Sequence, residues 1–574
     1  MKYIDEYKRW LSSPALLSEE RDELINIAND EDEIKLRFSS LMSFGTAGLR
    51  STMKLGTANM NRFTVIHTTR GIAKLVLANK GEQRGVAIAY DSRNNSEAFA
   101  KACAKVLAGS GIKVYIFKGL RPTPELSFAV RALNCLAGIN ITASHNPKEY
   151  NGYKAYWEDG AQIGPEQASV VTKERECFDV LDDSDLMSFD EGVKAGIIVE
   201  LGEEFDEIYL NAVLKTSINK SIISEVGDSL SIVYSPLHGA GYKLVPAVFE
   251  RLGLKKLYCV EEQMIPNGDF PTVAKPNPEY KEVFSLGIQL ANKVGSDLII
   301  ATDPDSDRVG VMTRSKSGEF ITISGNQMGA LLLDYAIIAR CEAGSLDDNC
   351  YCVKSLVSTD MANKIADYNG VKLHEVLTGF KFIGEVIKNN EAAGNENGFI
   401  LGFEESYGYL LGTYARDKDA VEASMLILEM TAYYKKKGMT LSDALDALYE
   451  KYGYYTERTI DIYMEGLDGI EKRTRVMENL RTNPKKDFCG YRVISVGDYL
   501  KGFFVDVNGK TTATNQPASD VIYYTLENGD KIIVRPSGTE PKIKIYILAH
   551  GEAQTDLENK AEQYSVAAKK IAEV

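Results

Sequence analysis

The chain has no C-x-x-C pair, no basic stripe, no long apolar run and only five histidines in 574 residues. Each absence removes a class of function. The eight cysteines are scattered, and only Cys350 and Cys352 lie close together. That spacing suits free thiols in a reducing compartment, not a disulfide framework or a zinc site. A formal net charge of −15 without clustered Lys and Arg argues against a nucleic-acid binder. A few basic side chains gathered in one cleft would still accept a small anion. Met1 to Lys8 is charged and holds no apolar signal core, so no signal peptide is expected. The most apolar run, Met328 to Ile338, is interrupted by Asp334 and is too short for a bilayer. A soluble cytoplasmic protein is expected, with no membrane association and no obligate protein partner.

What is present is a globular composition, 44% hydrophobic and 26% charged. At about 150 residues per domain the length predicts about four domains. Val86 to Tyr90 and Lys113 to Phe117 read as strands flanking a small-residue helix from Glu97 to Gly109. The rhythm recurs at Leu230 to Tyr234 and Asp297 to Ala301, which implies parallel sheet with crossover helices. Ligand loops then lie just beyond strand ends. From about Thr456 the rhythm changes to short strands: Ile460 to Tyr463, Val521 to Tyr524, Lys531 to Val534 and Ile543 to Leu548. A mixed, more antiparallel C-terminal domain is expected, closed by a helix from Thr555 to Ala572. The expected domains are 1–210, 211–325, 326–455 and 456–574. No repeat relating the first three is visible.

Four segments carry chemistry. Thr142-Ala143-Ser144-His145-Asn146-Pro147 places a serine on a loop at a strand end beside a basic residue, where it can be a nucleophile or phosphate carrier. Asp303-Pro304-Asp305-Ser306-Asp307-Arg308 puts carboxylates at alternate positions after a strand, hard oxygen ligands suited to Mg²⁺. Arg308 and Arg314 occupy the positions where an EF-hand needs Gly and Glu, so this is not an EF-hand; the alternative is an Asp-rich capping turn. Arg535-Pro536-Ser537-Gly538-Thr539 offers a guanidinium, hydroxyls and backbone N–H groups to a phosphate, or is an ordinary hairpin turn. Gly402-Phe403-Glu404-Glu405-Ser406 offers acceptors to sugar hydroxyls, or is merely solvated. Thr378-Gly379-Phe380-Lys381, and Arg416 with Lys418, read singly as surface charge, and Phe44 to Arg50 as a packing turn. His67, His374 and His550 read as structural and His238 as ambiguous; His145 alone adjoins a candidate nucleophile.

In this order, the serine, aspartate, glutamate and arginine loops resemble the α-D-phosphohexomutase superfamily, and the resemblance runs from the Phe44–Arg50 segment to residue 540. The length and the doubled glutamate are most similar to its phosphoglucomutase and phosphopentomutase branches. The resemblance implies three mixed-sheet α/β domains plus a C-terminal α+β domain around a central cleft. It implies that Ser144 is carried as a phosphoserine, and that Asp303, Asp305 and Asp307 hold Mg²⁺ with a phosphoserine oxygen. Glu404 and Ser406 would bind sugar hydroxyls; Arg535, Ser537, Gly538 and Thr539 would bind the phosphate that is not reacting. Arg50, His145 and Lys154 are the implied acid–base residues, and Arg308, Thr378, Gly379, Lys381 and Arg416 further substrate contacts. Ala420 departs from the family pattern, which has Gly there.

The implied activity is reversible interconversion of glucose 1-phosphate and glucose 6-phosphate through glucose 1,6-bisphosphate, which is both intermediate and activator. A cationic cleft would lower the Lys154 pKa enough for proton transfer. A phosphopentomutase or phosphomannomutase is the alternative within the class. A Mg²⁺-dependent sugar phosphatase lacks the early nucleophilic aspartate motif here and would not need a second phosphate clamp. A catalytically dead sensor would lack the serine or a metal ligand, and both are present.

Overall fold

The computed structural model describes residues 2–46, 48–464, 469–537 and 542–572. Its strands form four sheets that succeed one another along the chain. The first has the order Leu49–Thr52, Tyr150–Trp157, Ala137–Ile141, Val86–Tyr90, Val114–Phe117, Ile198–Leu201. Val86–Tyr90 is buried at every residue, as its unbroken apolar run requires of a parallel strand covered on both faces. The helix Ser96–Gly109 packs on it through Phe99, Ala100, Cys103 and Leu107.

The second sheet runs Phe320–Ile323, Val309–Arg314, Leu298–Thr302, Ser231–Ser235, Lys256–Cys259. The third runs Lys372–Val376, Tyr351–Ser355, Phe399–Glu404, Gly408–Leu410. These two share one core, in which Tyr234, Ile300, Phe403 and Leu426 belong to a single cluster. The apolar run around Met328 is the middle of the helix Gly325–Glu342, buried in that core. Its Asp334 accepts a 2.6 Å hydrogen bond from the Tyr452 hydroxyl. No described helix is long and apolar enough to cross a membrane.

A relation absent from the sequence joins the first three sheets. In each, a strand with a parallel neighbour turns back into an antiparallel partner: Ala137–Ile141 into Tyr150–Trp157, Leu298–Thr302 into Val309–Arg314, and Phe399–Glu404 into Gly408–Leu410. The connecting turns are the serine, aspartate and glutamate loops. Each holds one non-glycine residue in the left-handed region: Ser144 at φ 51°, Ser306 at 51° and Tyr407 at 66°. Such backbone persists only where surrounding contacts over-determine it.

The fourth sheet runs Tyr454–Tyr463, Lys542–Gly551, Lys531–Pro536, Ile522–Leu526, Tyr491–Asp498, Phe503–Asp506, Thr511–Ala513. The expected antiparallel character is seen: every pairing among its described strands is antiparallel. The links from Ile522–Leu526 to Lys531–Pro536 and on to Lys542–Gly551 are too short for a crossover helix. The helix Gln554–Lys569 covers this sheet with Leu557, Ala561, Tyr564 and Ala568.

Candidate active site

The serine loop is built from the neighbouring strand end. Asp91 Oδ2 accepts from the Thr142 hydroxyl at 2.6 Å, and Thr142 Oγ1 accepts from the Ser144 N–H at 2.8 Å. Buried Arg93 donates to the carbonyls of Ser144 and Asn146, and to those of Pro147 at 2.9 Å and Tyr150 at 3.0 Å. Asp91-Ser92-Arg93 is therefore the scaffold of the loop. Ser144 Oγ donates to Asp303 Oδ2 at 2.7 Å and lies 3.3 Å from His145 Nδ1. Burial, then Arg308 and Arg50, hold the His145 imidazole well below its ordinary pKa. Arg50 comes from the strand Leu49–Thr52, paired opposite Gly152, and its Nη1 donates to Asn146 Oδ1 at 3.1 Å. Gly48, at φ 76°, permits that approach: a Cβ there would meet the Tyr153 carbonyl at 1.9 Å.

Asp303, Asp305 and Asp307 each place a carboxylate oxygen within 4.8 Å of the others. Asp303 Oδ1 accepts the N–H groups of Asp307 and Arg308 at 3.1 Å each. Lys154 Nζ lies 2.7 Å from Asp305 Oδ2 and 3.2 Å from Asp307 Oδ2; Lys418 Nζ lies 3.3 Å from the latter. Asp305 Oδ1 and Asp307 Oδ1 are buried with no hydrogen-bond partner. A buried acceptor left unmade costs about 1–3 kcal/mol, so a hard cation fits this donor set. Burial, then Asp305 and Asp307, push the Asp303 carboxyl well above the usual range. Burial acts the same way on Asp305 and Asp307, but Lys154, joined at Asp307 by Lys418, outweighs it and holds both low. The expected lowering of Lys154 is corrected: burial does lower it, but Asp305 and Asp307 more than offset this and raise it above its ordinary value.

Above these groups lies a cleft of about 540 Å³ to which all four sheets contribute. The first supplies Arg50 and His145, the second Arg308, and the fourth Arg535. The third supplies Thr378, Gly379, Glu404 and Ser406. Glu404 Oε1 accepts the Gly379 N–H at 2.7 Å. Burial and then Glu404 push the adjacent Glu405 carboxyl up to about 7. Arg308 Nη1 bonds Glu279 Oε1 at 2.7 Å, an acid that sequence reasoning missed although it follows the rigid Pro276-Asn277-Pro278 segment. Lys275, Lys542 and Lys544 also line the cleft, which favours an anionic ligand despite the acidic chain.

Two expected contacts, Lys381 and Arg416, do not line this cleft. Lys381 lies over the Phe382 ring, 5.0 Å from its centroid, and burial pushes its ammonium down. Arg416 is turned into the protein: its Nη2 bonds Glu391 at 2.5 Å and its Nη1 the carbonyls of Thr413 and Ala415. Burial and then Arg131 push it down to about 10. The basic group that this segment does bring to the carboxylates is Lys418, which reads singly as surface charge but is buried beside Asp307. Ser537 closes its hairpin, its N–H donating to Lys542 O at 2.8 Å, and Gly538 and Thr539 lie outside the described residues. Ala420 opens the helix Ala420–Lys436 without a positive φ, so glycine is not needed there. His238 is structural, bonding Ile265 O at 2.9 Å and Thr272 Oγ1 at 2.8 Å.

Three family models match in succession: the phosphoglucomutase/phosphomannomutase alpha/beta/alpha domain I at residues 41–176, domain II at 207–317 and domain III at 324–452. A phosphoglucomutase of Staphylococcus saprophyticus is 37% identical over 518 residues, 90% of this chain and 92% of that protein. One of Staphylococcus aureus is 36% identical over 515 residues, 89% and 90% of the two chains. In fold, the chain is similar to pp63/parafusin from Paramecium in its open form, with a TM-score of 0.67 at 19% identity over 93% of this chain and 96% of that one. The chain belongs to the phosphoglucomutase/phosphomannomutase family, within the α-D-phosphohexomutase superfamily.

Proposed function

We propose that this protein interconverts glucose 1-phosphate and glucose 6-phosphate, with Ser144 as a phosphoserine carrier and glucose 1,6-bisphosphate as intermediate and activator. The observation that carries this reading is the Ser144 hydroxyl bonded to the aspartate cluster at the foot of a cleft lined by Arg50, Arg308 and Arg535. A hydrolase needs one phosphate site. A mutase needs two, because the bisphosphate must turn and present either end to the serine. The arginine of the C-terminal sheet supports a second site remote from the aspartates, and the identity to named phosphoglucomutases supports the sugar.

Asp303, Asp305 and Asp307 would hold Mg²⁺, which supplies charge neutralisation for the transferring phosphoryl oxygens. The chain's own groups position and protonate. His145 serves the serine oxygen, with Nδ1 already 3.3 Å away. Lys154, paired with Asp305 and Asp307, would offset the charge that develops on the departing oxygen. Glu404 and Ser406 orient the sugar hydroxyls, and Arg535 clamps the idle phosphate bidentately. Closure by the C-terminal sheet would exclude water, which otherwise hydrolyses the phosphoserine. All eight cysteines are free, which supports a cytoplasmic location.

The test is incubation with glucose 1-phosphate, Mg²⁺ and a trace of glucose 1,6-bisphosphate, with mannose and ribose phosphates in parallel. Glucose 6-phosphate as the fastest product is the expected result; faster turnover of mannose 1-phosphate or a pentose phosphate would reassign the substrate. Release of inorganic phosphate in place of an isomer would contradict the mutase reading.

A further inference from the structure

Asp305 is gripped by a threonine from the helix that precedes the strand Ala137–Ile141. Thr123 opens the helix Thr123–Ala132, and its backbone N–H donates to the Asp305 carbonyl at 2.8 Å. Its hydroxyl donates to Asp305 Oδ2 at 2.7 Å. A hydroxyl at a helix start ordinarily turns back to cap its own helix. Here it points across to the other sheet. The direction of the hydrogen is fixed, because Asn140 Nδ2 donates to Thr123 Oγ1 at 2.6 Å and a carboxylate can only accept. All three side chains are buried, with none more than 1% exposed. Asn140 belongs to the strand Ala137–Ile141, which runs directly into Ser144.

We propose that Thr123 is a positioning residue that sets the orientation of Asp305 and locks the aspartate loop to the strand carrying Ser144. Thr123 and Lys154 together occupy Asp305 Oδ2, which leaves Oδ1 as the oxygen presented, buried and without a partner. A two-point grip on main chain and side chain permits neither rotation of the carboxylate nor a slide of the loop. The Asn140–Thr123–Asp305 chain thereby keeps the ion-binding oxygens in register with the serine across two sheets. Outer partners that orient a ligating carboxylate govern metal affinity as well as geometry.

This inference rests on the divalent-ion reading above, so its test measures ion binding directly. Mn²⁺ alone is titrated into the full-length protein by calorimetry, with free Mn²⁺ followed by electron paramagnetic resonance. Thr123→Val keeps the shape and the backbone N–H but removes the hydroxyl. Its Mn²⁺ dissociation constant is expected to rise on the order of 10–100-fold, and Thr123→Ser to restore the wild-type value. An unchanged affinity in Thr123→Val overturns the proposal and leaves the ion assignment standing. Absence of Mn²⁺ binding by the wild type overturns both. Should Thr123→Val fail to fold, Asn140→Leu releases the hydroxyl from its fixed direction; weakened Mn²⁺ binding supports the proposal and unaltered binding overturns it.

Discussion

Ser144 Oγ and Asp303 Oδ2 meet at 2.7 Å, although 159 residues separate them in the chain. Neither loop makes this contact alone. The serine is held by Arg93 and Asp91 of the first sheet, and the aspartate by the backbone of the second. The hydroxyl is buried and partnered at a φ that ordinary side chains avoid. Ser144→Ala therefore removes the carrier while leaving the Arg93 and Asp91 contacts in place. Mutase turnover is expected to fall at least about a thousandfold with an unchanged circular dichroism spectrum. Turnover near wild type would contradict the carrier role.

Arg535 offers a planar fork from the C-terminal sheet, and Lys544 stands opposite it on the next strand. If charge alone mattered, Arg535→Lys would retain function. Bidentate recognition predicts otherwise: kcat/KM should fall by about 10-fold or more, and Arg535→Ala should fall further. Steady-state kinetics on glucose 1-phosphate distinguishes the two cases.

Arg416 pairs with Glu391 inside the protein and does not face the cleft. Arg416→Met should therefore lower stability and spare chemistry. The expected loss is roughly 1–3 kcal/mol, smaller than for a fully buried pair because Glu391 is partly exposed and remains solvated. Urea denaturation and kcat measured on the same preparation check this; a collapse of kcat with unchanged stability would place Arg416 in the substrate site.

His67 sets a pH dependence of stability. Burial, then Arg175, lower its imidazole from the ordinary value to about 4, and its Nε2 bonds the Phe178 carbonyl at 3.3 Å. The folded state thus binds fewer protons than the unfolded state between those two values. Its contribution is complete above the unfolded pKa and is lost as pH falls from about 6.5 to 4, amounting to roughly 3 kcal/mol. Denaturation at pH 7.5 and 4.5 should show that loss, and His67→Gln should reduce the difference between the two pH values.

The parts of this site that were legible in the sequence are those confined to one loop. Three aspartates after an apolar strand, or a serine before His-Asn-Pro, declare themselves because local spacing sets both their geometry and their chemistry. The parts that were not legible depend on long-range packing. Thr123, Arg93 and Lys418 are single polar residues whose meaning comes from what lies opposite them in another segment. Arg416 shows the converse error: Lys418, two residues on, reaches the carboxylates while the Arg416 side chain points inward. The shared hairpin of the first three sheets is preserved as a burial pattern and a turn conformation, not as residue identity, so no repeat could be seen. The antiparallel character of the C-terminal sheet was legible as well, because its strands follow one another through links too short for a crossover helix.

The central claim is that Ser144 carries the phosphoryl group during turnover. The most direct measurement is exposure of the protein to glucose 1,6-bisphosphate bearing radiolabelled phosphate, followed by peptide mapping. The account predicts one label per chain on the peptide containing Ser144, discharged onto added glucose 1-phosphate or glucose 6-phosphate. An actively isomerising protein whose Ser144 peptide never acquires label would contradict it.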